Sequence, residues 1–287
     1  MKVGMFPYDK EDIFISNWLI TRKCNFSCKY CRYCDTKNNS TSESGTIDKI
    51  IEFYNTINSI KPVDLIIVGG EPTLENLEHV LSRLTLHRPV EIFSNLSKPA
   101  EYYINLNSIK PIKISCSYHN SNFKIFIDKI KLLSSNIPIT AKFMVHYNDL
   151  SIIDKVNGVL YPSNNLRIEF NPIYNPLWTN DSKLKIIKAN LNKIYYVNDK
   201  LVSYYELYNI NNFKYWKCFV GTNGCVVDYD GRIYYCKTFL FSNKPAKYTV
   251  FGDYLNILDK NIICPHSSCT AELEIPKESS ILSKIKE

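Results

Sequence analysis

The sequence predicts an α/β fold: a partial (β/α)6 TIM-like barrel followed by a small cysteine-rich extension of β-hairpins and helix. Three observations carry that expectation. Short β-branched runs alternate with helically spaced segments through the first 175 residues, as in a parallel sheet with right-handed crossovers. From about residue 176 the alternation gives way to hairpin signatures. The ten cysteines fall into two clusters, one behind the first strand and one in the tail, with a single cysteine between them. The expected organisation is a barrel core over 1–175 and an extension over 176–287.

The first strand is IFISNWLI at 13–20, apolar enough to be buried on both faces. The cysteine run follows directly, so it occupies the loop at that strand's C-terminal end. Ile47, Ile50, Ile51, Tyr54 and Ile57 recur at helical spacing across 46–60, with Thr46 as the cap. VDLIIVGGEP is a strand running into a glycine turn, and a helix follows over 74–86. The next units are a strand at 89–95 with a short helix near 99–106, a strand at 112–118 with a helix at 122–135, and a strand at 138–147 with a helix at 149–160. A sixth strand lies at 165–173. Six units fall short of the eight that close a barrel, which leaves one side open. A further helix is expected at 182–193. KIYYVNDKLVSYY reads as a hairpin turning at Asn198-Asp199, and GCVVDYDGRIYYC as one turning at Asp230-Gly231.

No apolar run approaches a membrane span. The stretch MKVGMFPYDKEDIF meets acidic residues before any long apolar segment, which makes it a poor signal peptide. The expectation is a soluble cytoplasmic protein with no membrane partner. The net charge of +7 is spread along the chain rather than blocked, so nucleic acid is not the favoured partner. A chain of 287 residues needs no disulfide framework. In a reducing compartment its clustered cysteines point to metal.

Cys24, Cys28 and Cys31 stand in CNFSCKYC, spaced C-x3-C-x2-C. Three thiolates leave a tetrahedral zinc site one ligand short unless Cys34 supplies it. On an iron–sulfur cubane, three cysteines leave one iron open to another molecule. That iron would sit at a strand mouth, where an α/β barrel keeps its chemistry. Cys116 alternates with Ser115 and Ser117 and reads as a small buried hydrophobe.

CNFSCKYC, with the aromatic Tyr30 before its third cysteine, and GGEPT at 69–73 together resemble the signature motifs of the radical SAM superfamily. The resemblance implies a [4Fe–4S] cluster on Cys24, Cys28 and Cys31, with S-adenosylmethionine (AdoMet) chelating the open iron. It implies reductive cleavage of the sulfonium to a 5′-deoxyadenosyl radical that takes hydrogen from a substrate, the cofactor performing the hard step. The backbone of Gly69 and Gly70, with Glu71, is expected to face the methionyl amino group, the glycines allowing close approach. Ser94 and Asn95 are candidates for the ribose or carboxylate. Ser117 and Lys142 are candidates for the barrel mouth, and Glu169 and Asn171 for the pocket. His119 reads either as a further residue of the barrel mouth or as an exposed loop histidine.

CFVGTNGCVVDYDGRIYYC resembles the opening of the SPASM and twitch extensions of that superfamily. This implies an auxiliary [4Fe–4S] cluster on Cys218, Cys236, Cys264 and Cys269, in the single-cluster twitch form. The C-x4-C spacing of the last pair departs from the tight C-x2-C of the pattern. Cys225 is either a substitute ligand or a buried thiol, and His266 is an alternative ligand. A zinc-stapled hairpin is the other reading of this tail. Two oxidised clusters would bring about −1 and −2, leaving roughly +4 and weakening any charge-based case for nucleic acid. The expected activity is hydrogen abstraction from a peptide or small-molecule substrate. The auxiliary cluster would accept or relay an electron, and a flavodoxin or ferredoxin would be the donor. The alternatives are radical SAM modification of a nucleotide or nucleic acid, and a non-enzymatic zinc-binding protein.

Overall fold

The computed structural model describes residues 2–4, 13–31, 41–119, 121–146, 149–173, 194–197, 200–203, 214–241, 245–258, 261–265 and 277–278. Its strands are β1 (Lys2–Gly4), β2 (Phe14–Thr21), β3 (Val63–Gly69), β4 (Val90–Ser94), β5 (Ile112–Tyr118), β6 (Ile139–Val145), β7 (Leu166–Pro172), β8 (Ile194–Val197), β9 (Lys200–Ser203), β10 (Lys217–Cys218), β11 (Gly224–Val227), β12 (Arg232–Tyr234), β13 (Tyr248–Thr249), β14 (Ile262–Ile263) and β15 (Lys277–Glu278). Its helices are α1 (Ser44–Ile60), α2 (Leu77–Arg83), α3 (Ala100–Ile109), α4 (Phe123–Leu133), α5 (Ser151–Asn157) and α6 (Lys237–Phe241). Among the described residues no helix is long and apolar enough to cross a membrane.

Strands β2 to β7 pair in chain order, each parallel to the one before. With a helix between each pair this is the expected six-stranded arc of a partial barrel. β2 is buried at all eight positions because both its faces are covered. Phe14, Trp18 and Ile20 pack with Ile50, Phe53, Tyr54 and Ile57 of α1 in the helix-side core. Ile13, Ile15 and Leu19 join Ile66 and Val68 on the opposite face. That inner face turns polar along the arc, carrying Ser115 and Ser117 on β5, Thr140 and Lys142 on β6, and Arg167, Glu169 and Asn171 on β7. Cys116, Ala141, Phe143 and Phe170 alternate with them and belong to the helix-side core.

The helix starts differ from expectation for local reasons. α1 begins at Ser44 with Glu43 as its N-cap, so Thr46 lies inside the first turn rather than capping it. The helix expected over 74–86 divides into a 3-10 turn, Pro72–Leu74, and α2. Asn76 restarts it by accepting the His79 N–H at 3.1 Å through Oδ1.

The tail continues the barrel sheet. β11 lies parallel to β2, from Gly224 opposite Ile15 to Val227 opposite Trp18. β12 and β13 follow antiparallel, giving nine strands in the order β13-β12-β11-β2-β3-β4-β5-β6-β7. An unpaired β2 edge would leave a row of open N–H and C=O groups, and the hairpin covers it. Val226 and Tyr234 bury on the inner face, while Cys225 and Val227 bury against the helices. The turn spans three residues rather than the expected two. Asp228 N–H donates to Arg232 O at 2.9 Å, and Gly231 takes φ +80°, the left-handed residue such a turn needs.

A second sheet has the order β14-β10-β15-β1-β8-β9. It includes β1, which the sequence reading did not anticipate, having placed the first strand near residue 13. Three residues carry no periodicity, and the partners of β1 lie in β8 and β15 at the other end of the chain. The hairpin β8–β9 is present, from Ile194 opposite Ser203 to Val197 opposite Lys200. Its turn residues Asn198 and Asp199, and the helix expected at 182–193, lie outside the described residues.

Candidate functional site

A cavity of about 360 Å³ opens at the C-terminal ends of the barrel strands. Cys24, Cys28 and Cys31 line it, with Tyr30, Gly69, Gly70, Glu71, Ser94, Asn95, Ser117 and Lys142. Two motifs some forty residues apart in sequence thus meet because β2 and β3 are parallel neighbours ending on the same side.

The two glycines serve the chain itself. A Cβ on Gly69 would come within 2.3 Å of Thr21 O, and one on Gly70 within 2.0 Å of Lys23 O. Only glycine permits this approach. Gly70 N–H then donates to Thr21 O at 2.8 Å and Glu71 N–H to Lys23 O at 2.7 Å. The pair therefore anchors the root of the cysteine loop. The glycines were expected to admit a ligand; the nearest atoms a side chain would meet are those of this loop.

Glu71 is buried and its carboxylate is fully engaged. Oε1 accepts from Thr73 Oγ1 at 2.6 Å and Ser94 Oγ at 2.8 Å, and Oε2 accepts from Asn95 N–H at 2.7 Å. Burial nonetheless pushes the carboxyl above its usual range, against the pull of these donors. Ser94 also meets the Tyr103 hydroxyl at 2.8 Å. Asn95 Nδ2 donates to Asn25 Oδ1 at 2.7 Å, a second tie on the cysteine loop. Ser94, Asn95 and the Glu71 carboxylate thus hold β3, β4 and the loop together.

Within the loop, Phe26 N–H donates to Cys24 Sγ at 3.4 Å. Cys31 N–H donates to Cys28 O at 3.0 Å. Burial pushes the Cys28 thiol up, and nearby Cys31 adds to the rise. A bound cation reverses that balance and deprotonates the thiol. His119 corrects an expectation, since it is not an exposed loop residue. Its ring stacks on Tyr30 at 6.0 Å, meets the edge of Phe26 at 6.0 Å, and its Nδ1 lies 2.8 Å from the Tyr30 hydroxyl. Burial lowers its pKa.

The floor is built from β5 to β7. Lys142 Nζ sits 4.1 Å above the Phe93 ring, a cation–π contact. Asn171 lines the cavity beside Met144. Glu169 does not line it, being paired with Arg167 at 3.1 Å one layer deeper. Sequence reasoning missed Lys237 and Phe241 of α6, which close one side of the cavity. The available signal was adjacency, because Lys237 directly follows Cys236 and Phe241 comes one helical turn later. A second cavity of about 430 Å³ shares Tyr30, His119 and Met144 with the first and runs toward Asp149 and Lys155.

The tail cysteines differ in surroundings. Cys218 and Cys264 are buried and Cys236 is half-buried. Cys225 packs in the helix-side core with its sulfur 3.4 Å from Ser16 Oγ. Burial pushes its thiol up to about 12, as it does for Cys116. Cys225 is thus packed as a buried thiol, in keeping with one of the two readings of the sequence. Cys34, Cys269 and His266 lie outside the described residues.

Among the described residues no three His, Cys, Asp or Glu side chains converge as around a single metal ion. Residues 15–91, about a quarter of the chain, match a family model described as a 4Fe-4S single cluster domain. No curated protein matches the chain. A solved structure of native anSMEcpe with bound AdoMet and Cp18Cys peptide superposes with a TM-score of 0.61 at 13% identity, over 86% of this chain and 80% of that one. SuiB from Streptococcus suis bound to S-adenosylmethionine also gives 0.61, at 12% identity, over 86% of this chain and 65% of that one. The chain thus spans a little under two thirds of SuiB. At such identities the likeness is one of fold, and this chain has the partial-barrel fold of those structures with a 4Fe–4S domain match at its N-terminal end.

Proposed function

We propose that this protein is a radical SAM enzyme acting on a peptide or small molecule, with an auxiliary cluster in its tail. One observation carries the reading. The three cysteines of C-x3-C-x2-C share a cavity with the Gly-Gly-Glu end of the next strand, at the C-terminal mouth of a partial barrel. The donors suit a cubane. Three thiols face one cavity, and a backbone N–H already points at the Cys24 sulfur. When bound, a [4Fe–4S] cluster on Cys24, Cys28 and Cys31 and an AdoMet on its open iron supply one-electron cleavage of the sulfonium and hydrogen abstraction.

The chain's own residues then have defined tasks. Gly69, Gly70 and Glu71 fix the loop that presents the thiols. Tyr30, stacked on His119, forms an aromatic wall of the cavity. Ser117, Lys142 and Asn171 supply polar contacts on the floor, the Lys142 ammonium suiting a carboxylate. Cys218, Cys236, Cys264 and Cys269 would hold the auxiliary cluster. The place of Lys237, which directly follows Cys236, in the cavity wall supports a link between that cluster and the substrate. The peptide bound in the anSMEcpe structure supports a peptide substrate. A flavodoxin or ferredoxin would deliver the electron.

Anaerobic iron, sulfide and zinc analysis tests the proposal, with an assay for 5′-deoxyadenosine after adding reductant and AdoMet. Two cubanes require about eight irons per chain and one requires about four. Zinc without iron, or iron without any deoxyadenosine, would refute the reading.

A further inference from the structure

The geometry points to Asp228, on the C-terminal hairpin, as a positioning residue that holds the cysteine loop through Arg22. The two are 206 residues apart in sequence, and their side chains meet at 2.9 Å. The Asp228 side chain is 0% exposed and that of Arg22 is 20% exposed. Asp228 Oδ1 also accepts the Tyr229 N–H at 3.0 Å, and Arg232 approaches Oδ2 at 3.7 Å. Arg22 stands two residues before Cys24 and lies 5.4 Å from the centroid of the Tyr229 ring.

The same turn grips the far end of the loop. Tyr229 O accepts from Ser42 Oγ at 2.5 Å, and Ser42 Oγ reaches Ile20 O at 3.1 Å. Thr21 and Thr41 form an antiparallel bridge between the loop's two roots. The chain entering and the chain leaving the loop are thus both fastened to residues 228 and 229. On its other side the loop root is held by Gly70 and Glu71. The loop is clamped between the next barrel strand and the tail hairpin.

The energetics favour a geometric role. A buried carboxylate without its cation is costly, whereas the intact pair adds little net stability over an apolar substitute. Such a pair earns its place by fixing an arrangement, and three ligands must be held to within about half an ångström to serve one centre. Burial raises the Asp228 carboxyl, and Arg22 opposes that rise.

The test uses the full chain in two states. In the metal-free protein, hydrogen exchange of the amides of residues 22–31 is measured for wild type, Asp228→Asn, Arg22→Met, the double variant, and Asp230→Asn. Asp230 is the control, because it binds Arg232 in the same turn at 2.6 Å. Asp228→Asn should speed exchange in 22–31 about tenfold, the factor 1.4 kcal/mol supplies. Asp230→Asn should leave it unchanged, and the double variant should go no further than the faster single one. Equal acceleration by Asp230→Asn, acceleration throughout the barrel sheet, or additive effects in the double variant would each overturn the assignment.

The second state rests on the radical SAM reading. After anaerobic reconstitution, Asp228→Asn should lose iron to a chelator about tenfold faster than wild type, with a shifted electron paramagnetic resonance signal for the reduced cluster. Iron loss at the wild-type rate would overturn the positioning role. A wild-type protein that takes up no iron would sink the radical SAM reading instead, and the exchange experiment would still decide the clamp.

Discussion

The two cysteine groups occupy opposite kinds of surroundings. Cys24, Cys28 and Cys31 are half-buried on a loop above a parallel sheet, open to one cavity. In the tail, Cys218, Cys225 and Cys264 are buried, and only Cys236 is half-buried among the described ones. The loop thiols are spaced by the local chain, so eight residues suffice to present three of them to one cavity. In the tail, strand pairing brings two of the cysteines near each other, since Cys218 on β10 lies opposite Ile262 of β14, just before Cys264. The loop thus depends on its anchors, and the tail on its sheet.

Breaking the loop should have the largest effect. Cys28→Ala should abolish 5′-deoxyadenosine formation, whereas Cys236→Ala should leave some uncoupled AdoMet cleavage. Product analysis on both variants separates the two groups, and equal loss in both would mean that the tail is as necessary for cleavage as the loop. Next in size is Gly70→Ala. Its Cβ would lie 2.0 Å from Lys23 O, so the loop root must move, and a stability loss of about 3 kcal/mol is expected by chemical denaturation. A loss below about 1 kcal/mol would show that the root yields easily.

A smaller effect separates ligand from packing. Cys225→Ala removes a core sulfur, and should cost about 1 kcal/mol with iron content unchanged. A fall in iron per chain would place Cys225 among the ligands. The smallest effect is a pH dependence. His119 has a lowered pKa because it is buried, so its share of stability is complete above about 6.5, the unfolded value, and is lost as pH falls through the folded value. Melting temperatures between pH 5 and 7 should fall less steeply on acidification in His119→Gln. An unchanged slope would mean that the ring is already solvated.

Much of the barrel was legible because its strands and helices carry strong periodic signals. β2 through β7 and the helices between them are local patterns of apolar residues. Strand ends converge in any parallel arc, so motifs at those ends were legible as one site. The cavity accordingly gathers Cys24 to Cys31 and Gly69 to Glu71. Other features were not legible. β1 is too short to show a pattern, and its partners are at the opposite end of the chain. His119 looked exposed because nothing in the strand after Tyr118 signals the rings of Phe26 and Tyr30 that cover it. Lys237 carries no motif of its own, and it enters the cavity wall only through the folding of α6.

By itself, the sequence determined the α/β alternation, the three-thiol spacing and the glycine pair, because each follows from neighbours within a few residues. Tertiary structure alone decided that the tail hairpin joins the barrel at β2 and that Asp228 meets Arg22. It also packed Cys225 into the core and set Lys237 in the cavity wall. The reason is physical: burial and ion pairing depend on which distant surfaces meet, and that is set by sheet edges and close packing rather than by any local pattern.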